Sequence, residues 1–154
     1  MARRIMTKAY EARITIKAPR ATIWALLTDA PAYAQWNSTV DKIEGTIAPD
    51  QKLKIWAKIS PDRAFPAKVS GWDEGQRMVW SFSAPLGIFK GARTFTLSET
   101  PQGIEFHTRE EFGGWLAGPI TKKMPDLQPT FDAWAADLKR RAESLANSAR
   151  GAAR

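Results

Sequence analysis

The sequence predicts an α+β domain, a curved antiparallel sheet of about seven strands wrapped around a long C-terminal helix, with two short helices after the first strand. Three observations predict it. In Tyr10 to Lys17 and in segments between Thr39 and Phe112 apolar residues alternate with polar ones, the period of a strand with one face packed and one wet. From Pro125 onward the period changes to about 3.6. The order of segments, one strand, short helices, about six more strands and a long helix, suits an α+β layer architecture. A length of 154 residues fits one domain and can bury a core without cross-links.

The elements follow in order. Tyr10 to Lys17 reads as a strand with Ala12, Ile14 and Ile16 on one face. Ala18-Pro19 ends it, and Pro19 suits a helix entrance. Ile23, Trp24, Leu26 and Leu27 give a helical stripe, and Pro31 to Trp36 a second short helix. Thr39 to Gly45 and Lys52 to Ile59 are strands. In the second, Leu53, Ile55, Ala57 and Ile59 share one face, and Trp56 lies outside among lysine stems. Phe65 to Trp72 and Gln76 to Ser83 flank a turn at Glu74-Gly75, which puts Val69 on one face with Met78, Trp80 and Phe82. Lys90 to Glu99 and Ile104 to Phe112 flank a second turn at Thr100 to Gly103. Leu127, Phe131, Trp134, Leu138, Ala142 and Leu145 form the stripe of the closing helix, about 30 Å long for roughly 20 residues. There is no repeat or linker, so residues 1–154 read as one unit, with 148–154 as a frayed tail.

Composition excludes several chemistries. With no cysteine there is no disulfide, thiolate nucleophile or thiolate-held metal. Met1 to Tyr10 carries Arg3, Arg4 and Lys8 without an apolar run, unlike a secretory signal. No stretch approaches the roughly 20 apolar residues of a spanning helix. The expectation is a cytoplasmic protein with no membrane insertion. Lys plus Arg number 23 against 16 Asp plus Glu, a formal charge of +7. Many of these cations, among them Arg3, Arg4, Lys139, Arg140, Arg141, Arg150 and Arg154, sit near the two ends, which argues for solubility and against a nucleic-acid footprint. Seven Trp and seven Phe are more than packing usually needs and are typical of pocket walls.

Four segments carry a family likeness. They are Ile14 to Pro19 with Ile23 to Leu27, Tyr33-Ala34-Gln35-Trp36-Asn37, Thr108 to Leu116, and Phe131 to Glu143. Their order and spacing resemble the START-like (SRPBCC) superfamily, within it the polyketide cyclase/dehydrase-like group. The resemblance implies a helix-grip fold with a cavity between sheet and helix. It also implies a small hydrophobic ligand of lipid, polyketide or quinone type, and only some members are enzymes. Where related sequences often carry a His before an aromatic in the penultimate strand, this chain has Arg93.

The last hairpin locates polar groups. Pairing Leu97 with Phe106 sets Phe95 opposite Thr108 and Arg93 opposite Glu110, all facing inward. Arg93 and Glu110 then form either an anchor for a ligand oxygen, with Glu110 orienting it or acting as a base, or a structural ion pair closing the wall. His107, the lone histidine, has the outward phase with Glu105, Arg109 and Glu111. That removes a Ser-His-Asp triad, and a metal site lacks ligands. No metal or cofactor is expected. Phase nominates Met78, Trp80, Phe82, Phe95, Phe106, Thr108 and Phe112 from strands as walls, and Phe131 and Trp134 from the helix. Trp36-Asn37 and Trp115 border a mouth. Ordinary core packing accounts for each of these as well, and for Phe131 and Trp134 it is the favoured reading.

Three functions remain open from sequence. The first is a binding module for a hydrophobic or aromatic small molecule, as monomer or homodimer. The second is a cyclase- or dehydratase-like enzyme using Arg93 and Glu110. The third is a basic interaction protein using Trp56, Trp72 and the charged tail.

Overall fold

The computed structural model describes residues 8–152, so the basic segment before Lys8 lies outside the described residues. The strands are β1 (Lys8–Ile16), β2 (Val40–Glu44), β3 (Lys52–Ala57), β4 (Phe65–Asp73), β5 (Arg77–Ser83), β6 (Lys90–Thr100) and β7 (Gly103–Gly113). They form one sheet in the order β1-β7-β6-β5-β4-β3-β2, with every neighbouring pair antiparallel. The helices are α1 (Arg20–Thr28), α2 (Tyr33–Trp36), α3 (Ala117–Lys123) and α4 (Gln128–Ala152). The sheet curls into a half-barrel and α4 lies in its concave side, which is the helix-grip arrangement.

The pairing of β6 with β7 has the register that Leu97 and Phe106 specify, and Arg93 is the cross-strand partner of Glu110. Trp56 faces outward with Lys42 over its ring at 5.3 Å. Four details differ from the sequence reading. First, β3 ends at Ala57, because Lys58 to Ser60 turns and the Ser60 amide bonds the Ala57 carbonyl at 3.0 Å. Ile59 therefore leaves the core and is 43% exposed. Second, α4 starts at Gln128, whose amide is capped by the Asp126 carboxylate at 3.0 Å. Third, its buried stripe passes from Ala142 to Ala146, and Leu145 turns outward. Helix α4 also runs on through residues 148–152. Fourth, α3 was not foreseen, since Gly118, Pro119 and Thr121 are poor helix formers.

One end of the half-barrel is closed. Trp24 of α1 meets Trp72 of β4 edge-on at 5.2 Å, and both indole N–H groups donate to Glu74, at 3.2 and 2.8 Å. The opposite end carries the β3–β4, β5–β6 and β7–α3 connections and stays more open.

Helix α4 is pinned at several points. Asp137, buried on α4, accepts from the amide and hydroxyl of Ser38 at 2.8 and 2.6 Å. Lys139 donates to the Thr15 carbonyl at 2.6 Å, and Glu143 accepts the Lys17 amide at 2.8 Å. The Asp137 contact fixes α4 against the turn leading into β2. Asp137→Ala leaves that amide without its charged acceptor and is expected to lose about 2–3 kcal/mol of unfolding free energy, read by urea titration of the far-ultraviolet circular dichroism. A loss near zero would mean that Ser38 finds another partner.

Candidate functional site

Four concave side chains lie on one line across four adjacent strands. Tyr10 of β1 pairs with Glu110 of β7, Glu110 with Arg93 of β6, and Arg93 with Trp80 of β5. Inward phase at even positions of β7 and odd positions of β6 puts a polar head on each of them in turn. This row divides the interior. On the closed side Met78, Phe95 and Phe106 are wholly buried, and Leu97 nearly so. On the open side Phe82 and Phe89 are only half-buried.

Arg93 is the unusual member. Its guanidinium carbon stands 4.2 Å from the Phe131 ring centroid, 4.9 Å from Trp134 and 5.1 Å from Phe95. Its Nε donates to the Thr108 hydroxyl at 2.9 Å. Its Nη2 is buried with no partner among the described residues. The expected ion pair with Glu110 is not closed: the two residues are cross-strand partners, yet Arg93 turns toward Thr108 and α4. Rings on α4 supply the attraction that draws the guanidinium off the sheet line.

Burial pushes the Arg93 guanidinium down to about 10, while Glu110 and Tyr33 hold it up. Burial likewise pushes the Glu110 carboxyl above its ordinary value, against the pull of Arg93. Tyr33 is raised well above the usual phenol by burial, and its hydroxyl donates to the Leu27 carbonyl at 2.7 Å. Further buried polar atoms lack a partner among the described residues, namely the Tyr10 hydroxyl, the indole nitrogens of Trp36 and Trp80 and the Asn37 amide nitrogen. Buried donors are nearly always satisfied, so this set is a concentration of unmet hydrogen-bonding capacity.

The structure divides the nominated residues by surroundings. Trp134 is the hub of the closed side and touches Tyr33, Trp36, Phe95 and Phe106 at centroid separations of 5.3–5.9 Å. Trp80 leans on Phe95 at 4.7 Å. Phe82, Phe112 and Phe131 gather on the open side, where Phe112 stacks on Phe89 at 5.6 Å. Phe82 lies flat over Gly91, where any Cβ would sit 2.4 Å from its ring. Trp115 is 68% exposed at the open rim. Tyr10, Tyr33 and Phe89 were not nominated. Tyr10 shares the phase of Ala12 and Ile14 and was findable; Phe89 follows an irregular turn and has no periodic signal.

His107 faces outward, its Nε2 2.8 Å from the Glu11 carboxylate. That contact holds Glu11 below the ordinary carboxylate value. Among the described residues no group of three His, Cys, Asp or Glu is placed to hold a metal. A groove of about 530 Å³ lies toward the other edge, lined by Lys52, Lys54, Lys68, Ser81 and Phe82 among others. Only Phe82 belongs to both regions, and the groove does not reach Arg93.

A family model described as polyketide cyclase / dehydrase and lipid transport matches residues 7–146. The chain belongs to that family. The likeness to solved structures spans most of the chain at low identity, and so concerns the fold. A hypothetical protein of Helicobacter pylori superposes with a TM-score of 0.74 at 12% identity over 89% of each chain. A START superfamily protein of Mycobacterium smegmatis gives 0.64 at 16% identity, over 89% of this chain and 98% of that one. The di-domain ARO/CYC StfQ of the steffimycin biosynthetic pathway gives 0.67 at 13% identity; the match covers 90% of this chain and 52% of that protein. No curated protein matches the sequence.

The opposed effects on Glu110 make a test. Its folded value is raised, so it holds its proton more tightly folded than unfolded. Its contribution to stability is therefore full below the ordinary glutamate value and declines as pH rises through the folded one. Arg93→Met removes the opposing guanidinium and is expected to move the Glu110 midpoint further up in a carboxyl carbon NMR titration. An unmoved midpoint would show that the two groups do not sense each other.

Proposed function

We propose that this protein binds a hydrophobic, ring-bearing or acyl small molecule whose carbonyl or acidic oxygen is held by Arg93. The observation that carries the reading is the guanidinium itself, set among three aromatic rings with only its Nε spent on a protein acceptor. A planar fork held by its faces offers its remaining in-plane N–H groups to a ligand oxygen. The half-buried Phe82 and Phe89, with Phe112 and Phe131 beside them, provide the apolar surface for the rest of the molecule. Family membership, together with the fold shared with StfQ of the steffimycin pathway, supports ligands of the lipid or polyketide kind.

Intrinsic tryptophan fluorescence and native mass spectrometry against aromatic and fatty acids, each paired with its methyl ester, test this. Binding of the acids is expected to weaken about 10- to 100-fold in Arg93→Met, the equivalent of roughly 1.5–3 kcal/mol for a hydrogen bond to a charged group. The esters should change much less. Equal binding of acids by parent and variant, or binding of none of the compounds, would overturn the assignment.

A second reading has its own observation. A buried carboxyl raised above its ordinary value, next to a cation, is suited to moving a proton. In that reading Arg93 steadies an enolate-like oxygen while Glu110 shuttles the proton of a cyclisation or dehydration. Glu110→Gln would then abolish turnover of a polyketone substrate and leave its binding within a few-fold. Retained turnover would leave the binding function alone.

A further inference from the structure

Of the five large apolar side chains exposed to solvent among the described residues, four gather at one end of the sheet. Ile59 and Phe65, 43% and 41% exposed, lie in and just after the β3–β4 connection. Leu86, 92% exposed, tips the β5–β6 connection, and Trp115, 68% exposed, begins the link from β7 to α3. Antiparallel alternation brings these three connections to the same end, the one opposite the Trp24–Trp72 closure. Only Leu145, on α4, lies elsewhere.

The tip is built. Leu86 has a left-handed backbone (φ 63°), a region that disfavours any residue with a Cβ, and it sits between Pro85 and Gly87. The Leu116 amide donates to the Ile88 carbonyl at 2.9 Å, and the Trp115 indole to the Leu86 carbonyl at 3.4 Å. At Gly114 a Cβ would come within 2.7 Å of the Gly87 carbonyl oxygen. Two connections are thus locked together in a form that holds a leucine and a tryptophan out in water.

Arg63, Lys90, Lys122 and Lys123 belong to the same connections or to the elements they join, and all four are exposed. None has an ion-pair partner among the described residues. The carboxylates of the same segments are Asp62 and Asp126, and Asp126 is engaged with the Gln128 amide. We propose that this rim docks the protein on the surface of an anionic lipid bilayer, Leu86 and Trp115 entering the interface while the four cations meet lipid phosphates. An exposed tryptophan beside unpaired lysines has the chemistry of that boundary, with an apolar body for the acyl edge and positive charge for the headgroups. No helix is long and apolar enough to cross a membrane. Docking of this kind uses loop tips and needs none.

The rim also continues inward. Phe89, three residues past Leu86, stacks on Phe112; Phe112 meets Tyr10 at 6.3 Å; Tyr10 meets Phe131 at 5.7 Å; and Phe131 lies under Arg93. A ligand leaving a bilayer would pass along aromatic faces to the guanidinium. The docking stands on the rim alone, and only this route rests on the ligand reading above.

The test is flotation of the full chain, without ligand, on phosphatidylcholine vesicles with and without roughly 30% phosphatidylglycerol. Binding to the anionic vesicles is expected to be at least about tenfold tighter and to weaken with added salt. Leu86→Asp and the pair Lys122→Glu/Lys123→Glu should each reduce it by a similar factor. Acyl chains brominated near the headgroup should quench the parent's fluorescence more than that of Trp115→Phe, a readout that does not depend on how the charged variants fold. Absence of binding, equal binding to neutral vesicles, or quenching unchanged in Trp115→Phe would overturn the proposal. So would self-association through the rim, removed by Leu86→Asp, in place of vesicle binding.

Discussion

Helix α4 meets the sheet through Trp134, and the concave side is arranged around that contact. Its indole touches rings from α2, β6 and β7, and it forms one wall of the guanidinium cage. Burying about 200 Å² of indole at about 25 cal/mol/Å² contributes on the order of 5 kcal/mol, before the ring contacts themselves are counted. The position of α4 is therefore set by side-chain packing at one point and held by hydrogen bonds at Asp137, Lys139 and Glu143. Moving the helix would disturb the dry half of the interior and the Arg93 site together.

Arg93 works against the fold that surrounds it. Burial lowers its basicity to about 10, and the neighbouring carboxyl is pushed the other way. A charge buried without full hydrogen bonding is tolerated only where something compensates, and here the compensation is partial. Three ring faces attract the cation, Thr108 takes one of its N–H groups, and Glu110 supports it from beyond ion-pair range. An apolar residue of similar length would fill the space with less conflict. The interior thus keeps, at the border between its dry and half-open halves, a group that packing alone does not require.

Much of this was legible before any coordinates. Leu97 and Phe106 fixed the face and register of the last hairpin, so the pairing of Arg93 with Glu110 followed by counting. The outward placement of His107 followed from the same period of two. What counting could not reach was rotation and irregularity. The direction Arg93 takes depends on where α4 presents Phe131 and Trp134, and that comes from packing across the domain. Leu145 was misassigned because Ala142 and Ala146 carry the buried stripe onward, with small residues where the pattern suggested a large one. Helix α3 gave no warning, since Gly118, Pro119 and Thr121 argue against a helix. Of the rim, the sequence places Trp115 at a mouth and reads Ile59 as part of a strand, while Leu86 sits in a connection where periodicity has no meaning.

The rings around Arg93 come from elements distant in sequence, Phe95 from β6 and Phe131 and Trp134 from α4. Phe131 and Trp134 stand almost one helical turn apart, so Phe131 can change size while Trp134 keeps the helix in place. Gly91 and Phe82 are coupled, since Phe82 occupies the space that the missing side chain leaves and a Cβ there would sit 2.4 Å from its ring. The half-open part of the interior can therefore be reshaped at Phe82 or Phe131 while the sheet, the register and the Trp134 contact stay in place.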